Sequence, residues 1–191
     1  MGPIAELREE HGAIMKVFLI LQALGGKMKE QDPQDPLGNR VLDAFRRILE
    51  FLKVFVDQCH HAKEEELLFP AMTEAVTGNR GLIEELISEH EHGRRMIRSM
   101  EAALSRTGRE GETSFGGLAE DIKEYLQVFR NHIRKENAIL FPEARELLSH
   151  TTQSLMVREF ERIEEERIGK GRHEAFHRMI EELGESVSSS G

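Results

Sequence analysis

The chain has 191 residues, 39% of them hydrophobic and 32% charged, with a net charge of −9 and a single cysteine, Cys59. That length builds a real core in one or two domains, and the acidic balance argues against a surface for nucleic-acid phosphates. One cysteine excludes an intramolecular disulfide framework and suits a reducing compartment.

Apolar residues recur at helical spacing nearly everywhere, and no stretch alternates as a strand does. The first helix is expected from about Ile4 to Lys29, with Ile14, Phe18 and Leu21 on one stripe. Its opening, MGPIAELREEH, is charged at once and does not read as a secretory leader. The apolar run VFLILQAL is far short of the roughly 20 residues that span a bilayer. The expectation is a cytoplasmic protein that binds neither membrane nor nucleic acid.

GGKMKEQDPQDPLG reads as a loop, and Asp35 before Pro36 as a helix start. The second helix carries Val41, Phe45, Ile48, Leu52 and Phe55 and runs to about Phe69, where Pro70 should kink or end it. Gly78-Asn79 is the next break, and the third helix spans about Arg80 to Ser105. After TGREGETSFGG, a fourth helix covers about Leu118 to Leu148, with Ile122, Tyr125, Phe129, His132 and Ile133 facing inward. Thr151 or Thr152 would cap a fifth helix reaching Ile168; GKG breaks it, and Arg172 to Leu183 makes a sixth. The expected fold is all-α: an up-down-up-down four-helix bundle over residues 1–149 with one or two additional C-terminal helices packed on it over 150–185. SVSSSG, residues 186–191, reads as a disordered tail.

Two stretches share a frame. CHHAKEEELLFP begins at Cys59, and NHIRKENAILFP begins at Asn131. His60 falls on His132, Lys63 on Lys135, Glu64 on Glu136, and Leu68-Phe69-Pro70 on Leu140-Phe141-Pro142. His11 lies two turns into the first helix and His90 near the start of the third, while His60 and His132 lie toward the ends of theirs. At about 1.5 Å per residue, antiparallel packing brings all four imidazoles to one level. His60 with Glu64 and His132 with Glu136 each share a helix face, so each pair offers one nitrogen and one carboxylate to a common centre. Two carboxylates from facing helices can bridge two metals. Four His and two bridging Glu fill about eight of roughly twelve positions on two octahedral ions. An oxo or hydroxo bridge takes two more, and the rest stay exchangeable for O2, peroxide or NO. Mixed nitrogen and oxygen ligation with open positions favours Fe or Mn over a closed structural Zn site.

These motifs resemble the haemerythrin-like, or HHE cation-binding, family. The matching segments are EEHGAIM (His11), HHAKEEELLFP (His60, Glu64), SEHEHGRRM (His90) and NHIRKENAILFP (His132, Glu136), within residues 4 to 148. The resemblance implies a four-helix bundle holding a non-haem diiron centre. Oxygen-carrying members have a further His where Arg94 stands here, and His-x-x-x-x-Asp where this chain has His132-x-x-x-Glu136 followed by Asn137. The more anionic set resembles the branch linked to stress responses, iron sensing, nitric oxide and peroxide chemistry, and iron–sulfur repair.

Register leaves alternatives open. His61 with Glu65 is also four apart, and His61 could be an extra ligand or donate to one. His92 competes with His90; His90 is preferred because it follows Glu89 as His11 follows Glu10. Tyr125, seven residues before His132, is a candidate hydrogen bonder or redox-active phenol, and otherwise a core tyrosine. Cys59 is a core residue or a redox-sensitive thiol. HEAFH, from His173 to His177, matches the His-Glu-x-x-His signature of zinc proteases but has few residues left for a third ligand. It could instead form a second metal site with Glu164 to Glu166 or His61, or dock on the bundle, gate its pocket or pair two chains in a homodimer. Three functions follow: a diiron protein that binds or reacts with O2, peroxide or NO; an iron or oxygen sensor without turnover; and a purely structural bundle.

Overall fold

The computed structural model describes residues 1–28, 36–75, 78, 80–106 and 115–188, and helices account for nearly all of them. Helix α1 is Pro3–Met28. Helix α2 covers residues 36–75 and changes pitch along its length. It is α-helical over Pro36–Phe51, π-helical over Leu52–His61 and Glu64–Leu68, and α-helical again over Phe69–Ala75. Helix α3 is Arg80–Arg106. Helix α4 covers residues 116–147 as Gly116–Lys135, a π-helical turn Glu136–Leu140, and Phe141–Leu147. Helices α5 and α6 are His150–Arg167 and Arg172–Ser188.

The first four helices form the up-down-up-down bundle, each packed on the next, with α4 closing back on α1. Cross-helix ion pairs and hydrogen bonds report the antiparallel sense. Along α2 and α3, Lys53 meets Glu101, Asp57 meets Arg94 and Glu65 meets His90. Along α1 and α4, Arg8 meets the Asn137 carbonyl and Gln22 meets Arg130. Helices α5 and α6 pack against α1 and α2. None of the described helices is long and apolar enough to cross a membrane.

Burial divides into two apolar layers. The larger contains Ile14, Phe18, Phe45, Phe55, Met100, Ile122 and Phe129. The smaller contains Ile4, Leu7, Leu68, Phe69, Leu86, Leu140, Phe141 and Phe160. Between them, in α1, the buried residues Glu10 and His11 separate Leu7 from Ile14. The same interruption occurs in the other three helices of the bundle, so a polar layer crosses the molecule between two apolar layers.

Four local expectations change. Pro70 does not end α2, which runs on to Ala75, and Pro142 sits likewise inside α4. A π turn opens the hydrogen-bond ladder by one residue, and that is where a residue with no N–H and a bulky ring is tolerated. The N–H of Phe69 bonds the Glu64 carbonyl five residues back, and the N–H of Phe141 bonds that of Glu136, one residue before each proline. Gly25 to Met28 continue α1, as the expected span to about Lys29 has it and against the loop reading of GGKM, and Gly25 packs against Ile122, whose Cγ2 would lie 3.4 Å from an added Cβ. Ser149, not Thr151 or Thr152, caps α5; its hydroxyl accepts from the Thr152 N–H. Ser186 to Ser188 belong to α6 and not to a tail. Lys29, Asp35, Asn79 and residues 189–191 lie outside the described residues. In GKG, Gly169 and Gly171 take φ of 84° and 78°, the left-handed conformation that lets α5 turn into α6.

Candidate metal centre

Each helix of the bundle delivers one imidazole to the polar layer: His11 from α1, His60 from α2, His90 from α3 and His132 from α4, none more than 2% exposed. Glu64 and Glu136, each four residues after a histidine and each at the start of a π turn, are fully buried. The ligand atoms fall into two groups, His11–His60–Glu64–Glu136 and His90–His132–Glu64–Glu136, each within 4.8 Å. The two groups share both carboxylates.

How they share them is specific. Glu64 places Oε1 3.6 Å from His60 Nε2 and Oε2 3.6 Å from His90 Nε2. Glu136 places Oε2 3.2 Å from His11 Nε2 and Oε1 3.2 Å from His132 Nε2. Each glutamate therefore gives one oxygen to each histidine pair. The two rings His90 and His132 bring their Nε2 atoms to 3.0 Å.

Behind the rings lies a second network with a two-fold pattern. His60 Nδ1 is 2.7 Å from Glu10 Oε2, and His132 Nδ1 is 2.9 Å from Glu89 Oε2. Lys63 donates to Glu10 and Glu6 at 2.5 and 2.7 Å; Lys135 donates to Glu89 and Glu85 at 2.5 and 2.9 Å. His90 Nδ1 is held by Glu65 at 2.7 Å, and Glu65 accepts from Arg94, which also binds Asp57. Acceptors on Nδ1 put the proton there and turn the Nε2 lone pair toward the centre.

Burial sets the charges. It pushes His60 down to about 4, against the pull of Glu10, and it lowers His90. Burial would lower His132 as well, but Glu136 and Glu89 beside it raise it to about 9. Burial opposes ionisation of Glu10, yet His60 and Lys63 hold it at about 2. Burial, then repulsion from Glu136, raises Glu64 far above the carboxylate range, whereas His132 and His11 keep Glu136 far below it despite burial. Both nitrogens of His11 and all four carboxylate oxygens of Glu64 and Glu136 are buried without a hydrogen-bond partner among the described residues. Buried polar groups normally find partners, and leaving them without one is costly. A cation among them satisfies every one of these donor atoms except His11 Nδ1, so the residues fit a metal.

The model of the hemerythrin HHE cation-binding domain matches residues 2–144. The chain belongs to the hemerythrin HHE cation-binding family. It is also similar to an uncharacterized protein of Mycobacterium bovis, 24% identical over 190 residues, which cover 97% of this chain and 69% of that protein. Uncharacterized proteins from two strains of Mycobacterium tuberculosis match to the same extent.

In this hemerythrin-family bundle, the remaining sequence candidates take other places. His61 is buried, and its ring lies 3.7 Å from that of His90, 14° from parallel. The stacked ring of His61 packs against His90, and His61, His90 and His132 form a third group of possible ligand atoms, within 4.8 Å of one another. Glu65 holds His90 from behind, as already described. His92 does not enter the centre: it is half-exposed and lies 3.7 Å from Glu124 on α4. Tyr125 is fully buried but stacks on Phe129, which separates it from His132, and its hydroxyl finds no partner among the described residues. His173 bonds Glu164, and His177, exposed, stacks on His173; neither joins a ligand group among the described residues. Burial pushes the Cys59 thiol up to about 12, so it is a protonated core residue. Glu10, Glu89, Lys63 and Lys135 carry the outer network, and no metal role was read for them from the sequence. The one available signal was the repeated Lys in the two frames and the Glu before each of His11 and His90.

Proposed function

We propose that the protein is a non-haem diiron protein that binds or reacts with O2, peroxide or NO in redox or nitrosative stress or iron homeostasis. The observation that carries this is the division of each glutamate between the two histidine pairs, which fits two ions bridged by Glu64 and Glu136. His11 and His60 would hold one ion, and His90 and His132 the other. When bound, two irons supply electrons and exchangeable positions to a small oxidant or diatomic ligand. An all-nitrogen and oxygen donor set without thiolate suits Fe, with Mn a substitute and a closed tetrahedral Zn disfavoured.

The chain's own residues do the rest. Glu10, Glu65 and Glu89 orient the imidazoles. The two apolar layers keep bulk water from the centre. Arg94, bonded to Asp57 and Glu65, stands where the resemblance places another histidine in oxygen carriers, which supports reactivity over reversible carriage. A reducing cytoplasm is the compartment that fits both iron and the single buried thiol.

A sensor without turnover is the second reading. It is favoured by the buried carboxyl groups and imidazole without hydrogen-bond partners among the described residues, which would lose the metal that satisfies them and so loosen the helices when it leaves. Anaerobically iron-loaded protein supplied with excess reductant should consume peroxide or NO over many turnovers. Consumption that stops after one equivalent would establish the sensor instead.

A further inference from the structure

His60 and His132 have the same Glu–Lys network behind them but different surroundings; of the other two rings, His90 is held by Glu65, and His11 Nδ1 has no hydrogen-bond partner among the described residues. Around His132, the network faces solvent: Lys135 is 18% exposed, Glu89 22% and Glu85 57%. Around His60 it is more enclosed: Lys63 is 0% exposed, Glu10 3% and Glu6 28%. The enclosure comes from the C-terminal helices, beyond the family match. From α5, Glu164 Oε2 lies 3.7 Å from Lys63 Nζ, and the Phe160 ring lies under the same ammonium at 5.4 Å. From α6, His173 Nδ1 lies 2.9 Å from the other oxygen of Glu164. A chain of contacts thus runs His173–Glu164–Lys63–Glu10–His60, and no described helix covers Lys135 in this way.

We propose that α5 and α6 make the two metal positions unequal: the ion at His11 and His60 is clamped beneath the extension, while the ion at His90 and His132 exchanges with solvent. The proposal rests on the two-metal reading above. Its physical basis is that release needs water and a loosened ring. Charges at a dry site interact more strongly than the same charges near water. The partners behind a ligand histidine set how firmly it holds the metal. Glu164 is a positioning residue that acts through Lys63 and Glu10. It also gives the segment around HEAFH a role: His173 holds Glu164 in place.

The test is Fe(II) release from the full chain, loaded anaerobically and mixed with excess Fe(II) chelator. Two phases of equal amplitude are expected, separated by roughly tenfold or more, the scale on which partners behind a ligand change metal affinity. Glu164→Gln should speed only the slow phase, and Lys135→Met only the fast one. Circular dichroism and Tm of both variants serve as controls on the fold. One phase for both irons, a slow phase unmoved by Glu164→Gln, or both phases speeded together would overturn the proposal. Fewer than two irons bound at the start would instead overturn the two-metal reading.

Discussion

Glu10 Oε2 lies 2.7 Å from His60 Nδ1, on the side of the ring away from the centre, and both groups are buried. This pair makes His60 a stronger and better-aimed ligand, because the carboxylate favours positive charge on the imidazole and fixes its tautomer. Glu10→Gln keeps the shape and removes the charge. Metal affinity is expected to fall about ten- to a hundredfold, read by competition with a chelator of known affinity. An unchanged affinity would remove Glu10 from the account.

Metal should displace protons. Without metal, burial and Glu136 raise Glu64 well above the carboxylate range, which favours its protonated form, and Glu136 and Glu89 raise His132 to about 9 against burial, which favours the imidazolium. Both forms must lose a proton to coordinate. Loading at pH 7 is expected to release protons, and apparent affinity should rise from pH 6 to pH 8. An indicator dye in weak buffer reads the release. Loading with no proton release would contradict this assignment of charges.

Gly93 is required by close approach. A Cβ there would meet Phe129 Cζ at 2.2 Å and Cε2 at 2.5 Å, and the Phe129 ring packs on both His61 and His132. Gly93→Ala must move that ring, at a cost of about 1–3 kcal/mol as for other overpacked cores. Thermal unfolding should show the loss, and metal content should fall with it. A variant as stable as wild type would mean that Phe129 has room to shift.

Tyr125→Phe should do the opposite. Removing a buried hydroxyl without a partner leaves stability unchanged or improves it by up to about 1 kcal/mol. Metal content should not change, since Phe129 lies between Tyr125 and His132. Loss of metal in this variant would restore the phenol to the centre.

Much of this arrangement was legible in the sequence because a helix converts spacing into height and direction. That is why His11, His60, His90 and His132 could be placed in one layer, and Glu64 and Glu136 beside them. The preference for His90 over His92 rested on a repeated neighbour: Glu89 precedes His90 as Glu10 precedes His11. What spacing does not encode is which side chain on another helix a given group meets. Lys63 and Lys135 were visible as a repeat, but their bonds to Glu10 and Glu89 depend on how two helices lie together. The prolines misled for a related reason: their local rule assumes an α-helical ladder, and the π turns at Glu64 and Glu136 had already opened it. The seal over Lys63 was illegible too, because it depends on where α5 docks.

Metal content per chain, measured on anaerobically purified protein with an optical spectrum before and after air, tests the central claim most directly. Two irons per chain and a new near-ultraviolet band after air are the predicted result, with both irons lost in Glu136→Ala. One tightly held zinc with no spectral change, or full metal content in Glu136→Ala, would contradict a centre bridged by Glu64 and Glu136.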